Sequence, residues 1–460
     1  MRLAALLLFA VPLAVGHAKD QPNVVFVMAD DLGYGDLSCF GQQRFTTPRL
    51  DRMAEQGMRL TQHYAGSTVC APSRCSLMTG LHTGHCEIRG NTEHAAGEGQ
   101  EPLPADSVTL AELLHDAGYA TGAFGKWGLG YPGSEGDPVK QGFDRFFGYN
   151  CQRHAHRYYT DHLWDGLERV DFDPQRYTHD AIFDQALRFI RANRDRPFFC
   201  FLPVTIPHAA MEAPADAHAE WRERLPQFED QVGRYAGAET TNPVAAFPAM
   251  VQRLDGDVGR LLDLLGELGL DEKTVVVFTS DNGPHLEGGH RPDFFDSNGP
   301  YRGHKRDLYE GGIRVPTIVW APTRTPAGGS SEFASAGWDW LPTFCQLAGV
   351  DAPGGIDGLS LVPTITGESD QPQHEYLYWE FHERGGKQAI RRGPWKAVRL
   401  DVGRDGGSEL ELYNLASDPG ETANRAADEP ELAGQLADLM DTVRTPSGEF
   451  AFGKNRRDGR

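Results

Sequence analysis

The sequence predicts an α/β fold in which helices flank a large, mostly parallel central sheet, followed by a smaller C-terminal α+β subdomain with an antiparallel sheet. The first observation is a set of nearly continuous apolar runs, which are typical of parallel strands buried on both faces. The second is helical periodicity between these runs, so that strands and helices alternate. The third is a change after about residue 365, where short separate strand patterns replace the alternation.

Strand and helix patterns alternate from residue 23 to residue 320. The first strand is expected at residues 23–28. A helix is expected at residues 110–117, before Gly118, because glycine often follows the last helical turn. The other expected segments are strands at residues 120–124, 198–204, 274–278 and 318–320, and helices at residues 181–194 and 251–268.

Both ends of the chain differ from this alternating pattern. At the N-terminus, Arg2 precedes an apolar stretch at residues 3–15 that closes on Gly16-His17-Ala18, which is the organisation of a secretory signal peptide. Beyond residue 365 we expect short strands at residues 376–381, 396–400 and 410–413, and a terminal helix at residues 429–443. The chain is therefore divided into a signal peptide at residues 1–18, a large domain at residues 19–365 and a C-terminal subdomain at residues 366–460.

Composition and charge exclude several classes of protein. The formal net charge is −21 with a sequence pI near 5.2, which disfavours a nucleic-acid-binding protein because such proteins carry a basic surface. A mean hydropathy of −0.47 and the lack of any apolar run of about 18 residues predict no integral membrane segment. Together with the signal peptide, these properties indicate export to the periplasm or outside the cell. The seven cysteines, an odd number, leave at least one thiol free or chemically altered.

Polar side chains directly follow four strand-like segments. They are Asp30-Asp31, Lys126, His208 and Asp281-Asn282. In an open α/β sheet the ligand site lies beyond the carboxyl ends of the strands, so these groups are expected to converge. Carboxylate and amide oxygens suit Ca²⁺ or Mg²⁺, whereas helix capping and turn formation are the alternative roles of the acidic pairs.

The segment Cys70-Ala71-Pro72-Ser73-Arg74 carries the most specific chemistry. Pro72 favours the first turn of a helix, which places Cys70 at a helix N-terminus, where an anion is stabilised. An unmodified thiol there is a candidate low-pKa nucleophile. The tyrosine-phosphatase pattern is excluded because it requires Arg six positions after the cysteine, where this chain has Ser76.

This segment matches the Cys-x-Pro-Ser-Arg signature of the formylglycine-dependent sulfatases of the alkaline phosphatase superfamily, and LMTG follows at residues 77–80. Further blocks resemble the same family and follow the family's order along nearly the whole chain. They are NVVFVMADDLGYG (residues 23–35), GKWGLG (125–130), GFDRFFG (142–148), IPH (206–208), TSDNG (279–283), YEGGIRVP (309–316) and ELYNLASDPGET (411–422). The resemblance implies an alkaline-phosphatase-like fold and an arylsulfatase-like sulfuric ester hydrolase, with the catalytic domain at residues 19–365.

The resemblance implies that a formylglycine-generating enzyme oxidises Cys70 to formylglycine during export. The hydrated aldehyde offers two hydroxyl groups. One attacks the sulfur of a sulfate ester as the alcohol leaves, and the other then expels sulfate and restores the aldehyde. A cysteine or serine nucleophile lacks the second hydroxyl and would retain the sulfate, which explains why the family modifies this residue.

The resemblance also implies roles for individual residues. Arg74 would steady the diol, and His208 would protonate the leaving oxygen or bind the sulfate. Lys126 and Lys305 would bind sulfate oxygens. The implied ligands of Ca²⁺, with Mg²⁺ as the alternative, are Asp30, Asp31, Asp281, Asn282 and the modified Cys70.

One position departs from the family pattern. Many members carry His at the fourth residue of the GKWGLG block, where this chain has Gly128. Glycine opens space beside Lys126, and His154 or His156 of the nearby loop is predicted to contribute a substrate-binding ring there. An ordinary polar loop is the alternative.

Sulfate ester hydrolysis is the leading function, with a small-molecule or oligosaccharide sulfate ester as substrate. The related phosphonate monoester and phosphodiester hydrolases share the superfamily fold and form the alternative enzyme class. A non-catalytic carbohydrate-binding relative is a third hypothesis. The intact segment at residues 70–74 and the full set of oxygen ligands argue against it.

Overall fold

The computed structural model describes residues 21–95, 97–404 and 407–452, so the predicted signal peptide lies outside the described residues. Over these ranges, no helix is both long enough and apolar enough to cross a membrane. The strands are β1 (Asn23–Ala29), β2 (Met58–Leu60), β3 (His63–Tyr64), β4 (Glu93–Ala95), β5 (Gly99–Gln100), β6 (Ala120–Lys126), β7 (Arg145–Tyr149), β8 (His162–Asp165), β9 (Glu168–Asp171), β10 (Phe198–Pro203), β11 (Val232–Tyr235), β12 (Ala238–Thr241), β13 (Thr274–Ser280), β14 (Ile318–Trp320), β15 (Gly329–Ser331), β16 (Ser335–Ala336), β17 (Leu377–Phe381), β18 (Lys387–Arg392), β19 (Trp395–Leu400) and β20 (Glu411–Asn414). The α-helices are α1 (Pro48–Gln56), α2 (Cys70–Thr79), α3 (Leu110–Asp116), α4 (Thr178–Ala192), α5 (Ala215–Arg224), α6 (Pro243–Glu267), α7 (Pro292–Phe295), α8 (Glu310–Ile313), α9 (Trp340–Ala348), α10 (Val362–Thr366) and α11 (Pro430–Thr442).

A ten-stranded sheet with the order β15-β2-β14-β13-β1-β10-β6-β7-β8-β9 forms the centre of the fold. Its five middle strands, from β13 to β7, all run parallel to one another. Antiparallel strands extend the sheet on both sides, with β14 beside β13 and β8 beside β7. The predicted large and mostly parallel sheet is therefore confirmed.

Strand β1 explains why the central strands appear as unbroken apolar runs. Val25 and Val27 pack in one hydrophobic core with residues of α4 and α6. Val24 and Phe26, which alternate with them, pack in a second core with residues of α3 and α9. Successive side chains of a strand point to opposite faces, and here both faces are covered by helices, so β1 needs an apolar residue at every position.

Helix α6 and strand β18 are two of the elements that differ from the sequence prediction. Helix α6 begins at Pro243 and not at residue 251, because the side chain of Asn242 accepts a hydrogen bond from the backbone of Ala245 and Pro243 suits the first turn. Strand β18 is not predicted from the sequence, because most of its residues, KQAIRR, are polar. Its place between β17 and β19 supplies the hydrogen bonds that define it.

The C-terminal sheet has the order β17-β18-β19-β20, and each neighbouring pair is antiparallel. Helix α11 packs Leu436 and Met440 in a core with residues of this sheet. A second core joins Trp379 and Val398 of the sheet to Val69, the residue before α2. The predicted antiparallel sheet and terminal helix are confirmed, while the domain boundary at residue 365 stays a prediction.

A buried ion cluster joins this sheet to the segment that contains α8. Lys396 Nζ lies 2.9 Å from Glu310 Oε1 and 3.0 Å from Glu421 Oε1. Tyr64 donates a hydrogen bond of 2.7 Å to Glu310. Burial raises the pKa of Glu421 to about 7, against the opposing charge of Lys396. Because breaking a buried pair costs about 3–5 kcal/mol, the cluster ties α8 to the C-terminal sheet.

Candidate active site

A buried polar site lies at the carboxyl ends of the parallel strands. Asp30 and Asp31 follow β1, Asp281 follows β13, and Lys126 is the last residue of β6. Helix α2 adds its first residue, Cys70. Each of these five side chains belongs to a residue that is at most 1% exposed. The structure therefore brings these groups together at one edge of the sheet and shields them from bulk solvent.

Two buried lysines neutralise the pair of carboxylates after β1. Lys126 Nζ lies 2.6 Å from Asp30 Oδ2, and Lys305 Nζ lies 2.8 Å from Asp31 Oδ2. Burial alone would raise the pKa of both carboxyl groups, but the adjacent ammonium groups hold it below the usual range. Burial would likewise lower the pKa of the two lysines, and the carboxylates hold it above the usual range. All four groups are therefore ionised at neutral pH.

Arg74 lies one turn into α2 and holds the third carboxylate. Its Nη2 and Nε donate to Asp281 Oδ2 over 2.8 Å and 3.2 Å, and its Nη1 donates to the backbone carbonyl of Lys126. Burial and the charge of Asp30 raise the pKa of Asp281 to about 6, and Arg74 opposes the rise. Three carboxylates thus face three cations, so the ionised side chains of the site balance one another.

Cys70 lies between groups of opposite charge. Its Sγ is 3.3 Å from Asp30 Oδ1 and 3.7 Å from Lys305 Nζ. Burial and the charge of Asp30 raise the pKa of the thiol far above its usual range, so unmodified Cys70 is protonated. The hypothesis of a low-pKa thiol at this helix N-terminus is therefore wrong, because the loss of water and the nearby carboxylate outweigh the helix dipole.

The donor set of the site fits a hard divalent cation. Ligand atoms of Asp30, Asp31, Cys70 and His208 lie within 4.8 Å of one another. Among the described residues, the buried Oδ1 of Asn282 has no hydrogen-bond partner, while Nδ2 of the same amide donates to Asp31 over 2.6 Å. Carboxylate and carbonyl oxygens are the ligands that Ca²⁺ and Mg²⁺ prefer, and a buried carbonyl oxygen without a partner is costly.

His208 lies in a cluster of rings beside Asp31. Its Nε2 is 3.3 Å from Asp31 Oδ2. The ring of His156 stacks on it with 4.6 Å between centroids and an interplanar angle of 1°. Tyr235 presents its edge to both rings. Burial and the charge of Lys305 lower the pKa of His208 well below its usual value, so the ring is neutral.

The sequence analysis does not predict two members of this ring cluster, Tyr235 and His285. Tyr235 ends β11, in a hairpin between the segments that carry His208 and Asp281, and no local sequence pattern indicates a role in the site. The ring of His285 lies 5.5 Å from that of His208. His285 closely follows the TSDNG block, so its position beside that block is a signal that the sequence does carry.

Two family models match the chain. The sulfatase model matches residues 22–350, most of the chain. The chain belongs to the sulfatase family. A second model, described as the C-terminal part of N-sulphoglucosamine sulphohydrolase, matches residues 301–445 and so includes the C-terminal sheet of this sulfatase. The protein is therefore a sulfuric ester hydrolase.

Known relatives extend over most of this sulfatase. Arylsulfatase A of Homo sapiens is 33% identical, over 91% of this chain and 85% of that protein. Steryl-sulfatase of Mus musculus is 32% identical, over 82% of this chain and 70% of that protein. N-acetylgalactosamine-6-sulfatase of Canis lupus familiaris is 34% identical, over 85% of this chain and 74% of that protein.

Solved structures share the fold of this sulfatase. The crystal structure of Ps i-CgsB in complex with k-i-k-neocarrahexaose matches with a TM-score of 0.78 and 24% identity, over 94% of both chains. The phosphonate monoester hydrolase of Agrobacterium radiobacter matches with a TM-score of 0.66 and 21% identity, over 92% of this chain and 95% of that chain. The predicted alkaline-phosphatase-like fold is therefore confirmed.

The two loop histidines of the sulfatase face different surroundings. His156 stacks on His208, as described above. His154 Nε2 lies 2.9 Å from Thr160 Oγ1, and its ring stacks on His162 with 4.1 Å between centroids. Only the first of the two rings thus contacts a residue of the polar site, and a substrate-binding role for either stays a prediction.

The space beside Gly128 is filled by Gln152. A Cβ on Gly128 would lie 2.4 Å from Gln152 Nε2 and 3.0 Å from its Cδ. The glycine has a φ of 79°, a left-handed conformation that disfavours other residues. The loop after β7 therefore does approach Gly128, but the side chain that reaches it is an amide and not an imidazole.

Proposed function

We propose that this sulfatase hydrolyses the sulfate esters of saccharides with a formylglycine made from Cys70. The observation that carries the proposal is the position of Cys70 Sγ, 3.3 Å from the Asp30 carboxylate and 3.7 Å from the Lys305 ammonium group. A protonated thiol is a weak nucleophile, so this position favours a modified side chain. A hydroxyl group there would donate to Asp30 and accept from Lys305, which suits the hydrated aldehyde.

The proposal includes a Ca²⁺ ion, with Mg²⁺ as the alternative. Its ligands would be Asp30, Asp31, Asp281, Asn282 and the modified Cys70. The buried Oδ1 of Asn282, which lacks a partner in the part of the chain that the structure describes, supports this set. When bound, the cation would hold the nucleophilic side chain and neutralise charge on the sulfate group.

The other buried groups are assigned to the substrate and the leaving group. Lys126 and Lys305 would bind sulfate oxygens, because they are the two ammonium groups beside the nucleophile's position. Arg74, held by Asp281, would steady the modified side chain. His208 would bind the sulfate, since its Nε2 faces the carboxylate that Lys305 also contacts. Alternatively it would protonate the leaving oxygen, for which the neutral ring must first take up a proton.

The names of similar proteins support a saccharide substrate. One relative is named N-acetylgalactosamine-6-sulfatase. A protein of similar fold, with a TM-score of 0.72 and 24% identity, was crystallised with its substrate D-glucosamine-2-N,6-O-disulfate. The relative named steryl-sulfatase favours the competing hypothesis that the alcohol is a steroid.

A substrate panel tests the proposed class. The panel holds the O-sulfates of galactose and N-acetylgalactosamine, a steroid sulfate, 4-nitrophenyl sulfate and a phenyl phosphonate monoester. We expect the highest kcat/KM on one of the sulfated saccharides, measured with mature enzyme. The highest kcat/KM on the steroid sulfate would replace the proposed class, and the highest on the phosphonate would favour the phosphonate hydrolase alternative.

Maturation and location belong to the same proposal. Residues 1–18 would be removed during export to the periplasm or outside the cell. A formylglycine-generating enzyme would modify Cys70 on the way. The mature chain would consist of a catalytic domain at residues 19–365 and a C-terminal subdomain at residues 366–460.

His156→Ala is expected to lower kcat/KM by about 10-fold on every sulfate ester. The ring of His156 lies flat on that of His208, so its removal frees His208 to leave its working orientation. Steady-state kinetics on 4-nitrophenyl sulfate and on a sulfated monosaccharide measure the effect. His154→Ala is the matched control from the same turn and should behave like the parent, because its ring packs on His162. Parent-like rates for both variants would make this an ordinary polar loop.

A further inference from the structure

A buried amide in the loop after β7 has no partner within the protein as described. Gln152 is 5% exposed, and neither its Nε2 nor its Oε1 has a hydrogen-bond partner among the described residues. Buried polar groups are nearly always hydrogen-bonded, because leaving them unpaired is unfavourable. An amide with both ends unpaired within the protein is therefore available to bond to a ligand or to an ordered water.

Gln152 lies at the same edge of the sheet as the polar site. The pairing of β6 and β7 continues past both strands, since the backbone N–H of Gly128 donates to the carbonyl of Asn150 over 2.9 Å. Because of this register, Gln152 lies beyond the carboxyl end of β7 and contacts Gly128. Gly128 is two residues after Lys126. Because Gly128 has no side chain, the amide occupies the place that a side chain there would take.

The two ends of the amide make different demands on a ligand. Nε2 donates a hydrogen bond and Oε1 accepts one. A sulfate oxygen only accepts, so it satisfies Nε2 and leaves Oε1 unpaired. A hydroxyl group both donates and accepts, so it satisfies both ends. Saccharides carry hydroxyl groups on the same sugar ring as the sulfate ester, whereas a simple aryl sulfate such as 4-nitrophenyl sulfate carries none.

We propose that Gln152 binds a hydroxyl group of the saccharide that carries the sulfate ester. Gln152 is then a substrate-binding residue that favours sulfated saccharides over aryl sulfates. This inference rests on the proposed function and adds to it the residue that distinguishes the two kinds of alcohol.

Gln152→Met tests this role, because it keeps the length of the side chain and removes both polar ends. The measured quantity is kcat/KM on the preferred O-sulfated galactose or N-acetylgalactosamine, divided by kcat/KM on 4-nitrophenyl sulfate. We expect this ratio to fall about 10- to 100-fold. The thermal unfolding midpoint should equal or exceed that of the parent, since an apolar side chain replaces an unpartnered buried amide.

Gln42→Met is the matched control. Gln42 is also buried, but its amide is fully bonded within the protein. Nε2 donates to the carbonyls of Gly35 and Phe295 over 3.0 Å and 2.9 Å, and Oε1 accepts from the backbone of Arg44. The same substitution should lower the unfolding midpoint there and leave the substrate ratio unchanged.

The outcomes separate this inference from the proposed function. An unchanged substrate ratio in Gln152→Met overturns the inference, and a lower unfolding midpoint in the same variant assigns the amide to a structural role instead. A parent that hydrolyses 4-nitrophenyl sulfate but no sulfated saccharide also overturns it, while sulfate ester hydrolysis stands. A parent that hydrolyses none of these esters overturns the proposed function, and the inference with it.

Discussion

Cys70→Ala is expected to lower kcat on every sulfate ester by roughly 10⁴-fold or more, because alanine carries no group that can attack sulfur. The remaining cations would still bind the sulfate group, so the loss should appear in kcat more than in KM. Parallel mass measurement of the parent peptide that contains residue 70 should show an aldehyde in place of the thiol. Parent protein in which Cys70 keeps its thiol should be as inactive as the variant, since the buried thiol is protonated.

Cys75→Ala provides the control for Cys70→Ala. Cys75 is buried in the same helix, α2, but it packs in a hydrophobic core with Met78 and Cys86, whereas Cys70 Sγ contacts the Asp30 carboxylate. Any general effect of truncating a cysteine in this helix should appear in both variants, whereas the loss of turnover should appear in Cys70→Ala alone. Turnover by Cys70→Ala at the parent rate would rule out a nucleophile at this position.

Removal of the proposed metal ion is the second change with a large expected effect, roughly 10³-fold in kcat. Three ionised carboxylates balance three cations at the site. A divalent cation would neutralise these carboxylates, so the positive charges of Lys126 and Lys305 would be available to bind an anion. Chelation should therefore abolish activity, and Ca²⁺ or Mg²⁺ should restore it. Elemental analysis should find one of these two ions, and zinc in its place, or full activity after thorough chelation, would contradict the assignment.

Thermal unfolding gives a readout of metal binding that does not depend on turnover. A ligand at one hundred times its dissociation constant stabilises the native state by about 2.7 kcal/mol, so Ca²⁺ should raise the unfolding midpoint. Asp281→Asn should weaken this response because it removes a charged ligand. Asp255→Asn is the matched control, since Asp255 caps α1 through the backbone N–H groups of Arg49 and Leu50 and should keep the response. An equal response in both variants would remove Asp281 from the ligand set.

Local sequence patterns predict the central sheet because a strand that is buried on both faces has a continuous run of apolar residues. Strands β1, β10 and β13 are buried at every position, so their apolar runs are visible without a structure. The polar groups beyond those strands are predictable for a related reason. Parallel strands end at a common edge, so residues such as Asp31 and Asp281 are expected to meet, and Asp31 N donates to Asp281 Oδ1 over 3.1 Å.

Contacts between loops that follow different strands are not indicated by any local sequence pattern. The stack of His156 on His208 joins loops that follow β7 and β10, and Tyr235 reaches both rings from a separate hairpin. The approach of Gln152 to Gly128 depends on the register between β6 and β7 beyond their last residues. Composition and periodicity describe single segments, so they do not determine how far one loop folds back over another.

The burial of Cys70 also constrains the order of events in biosynthesis. An enzyme that oxidises this residue needs access to it, and the finished fold leaves it only 1% exposed. Val69, its neighbour, packs with Trp379 and Val398, which belong to the part of the chain that is synthesised last. The proposed modification would therefore compete with folding in time. Because the C-terminal sheet is synthesised last, Cys70 would stay accessible until that sheet packs, and a variant that folds faster is expected to yield more protein with an unconverted thiol.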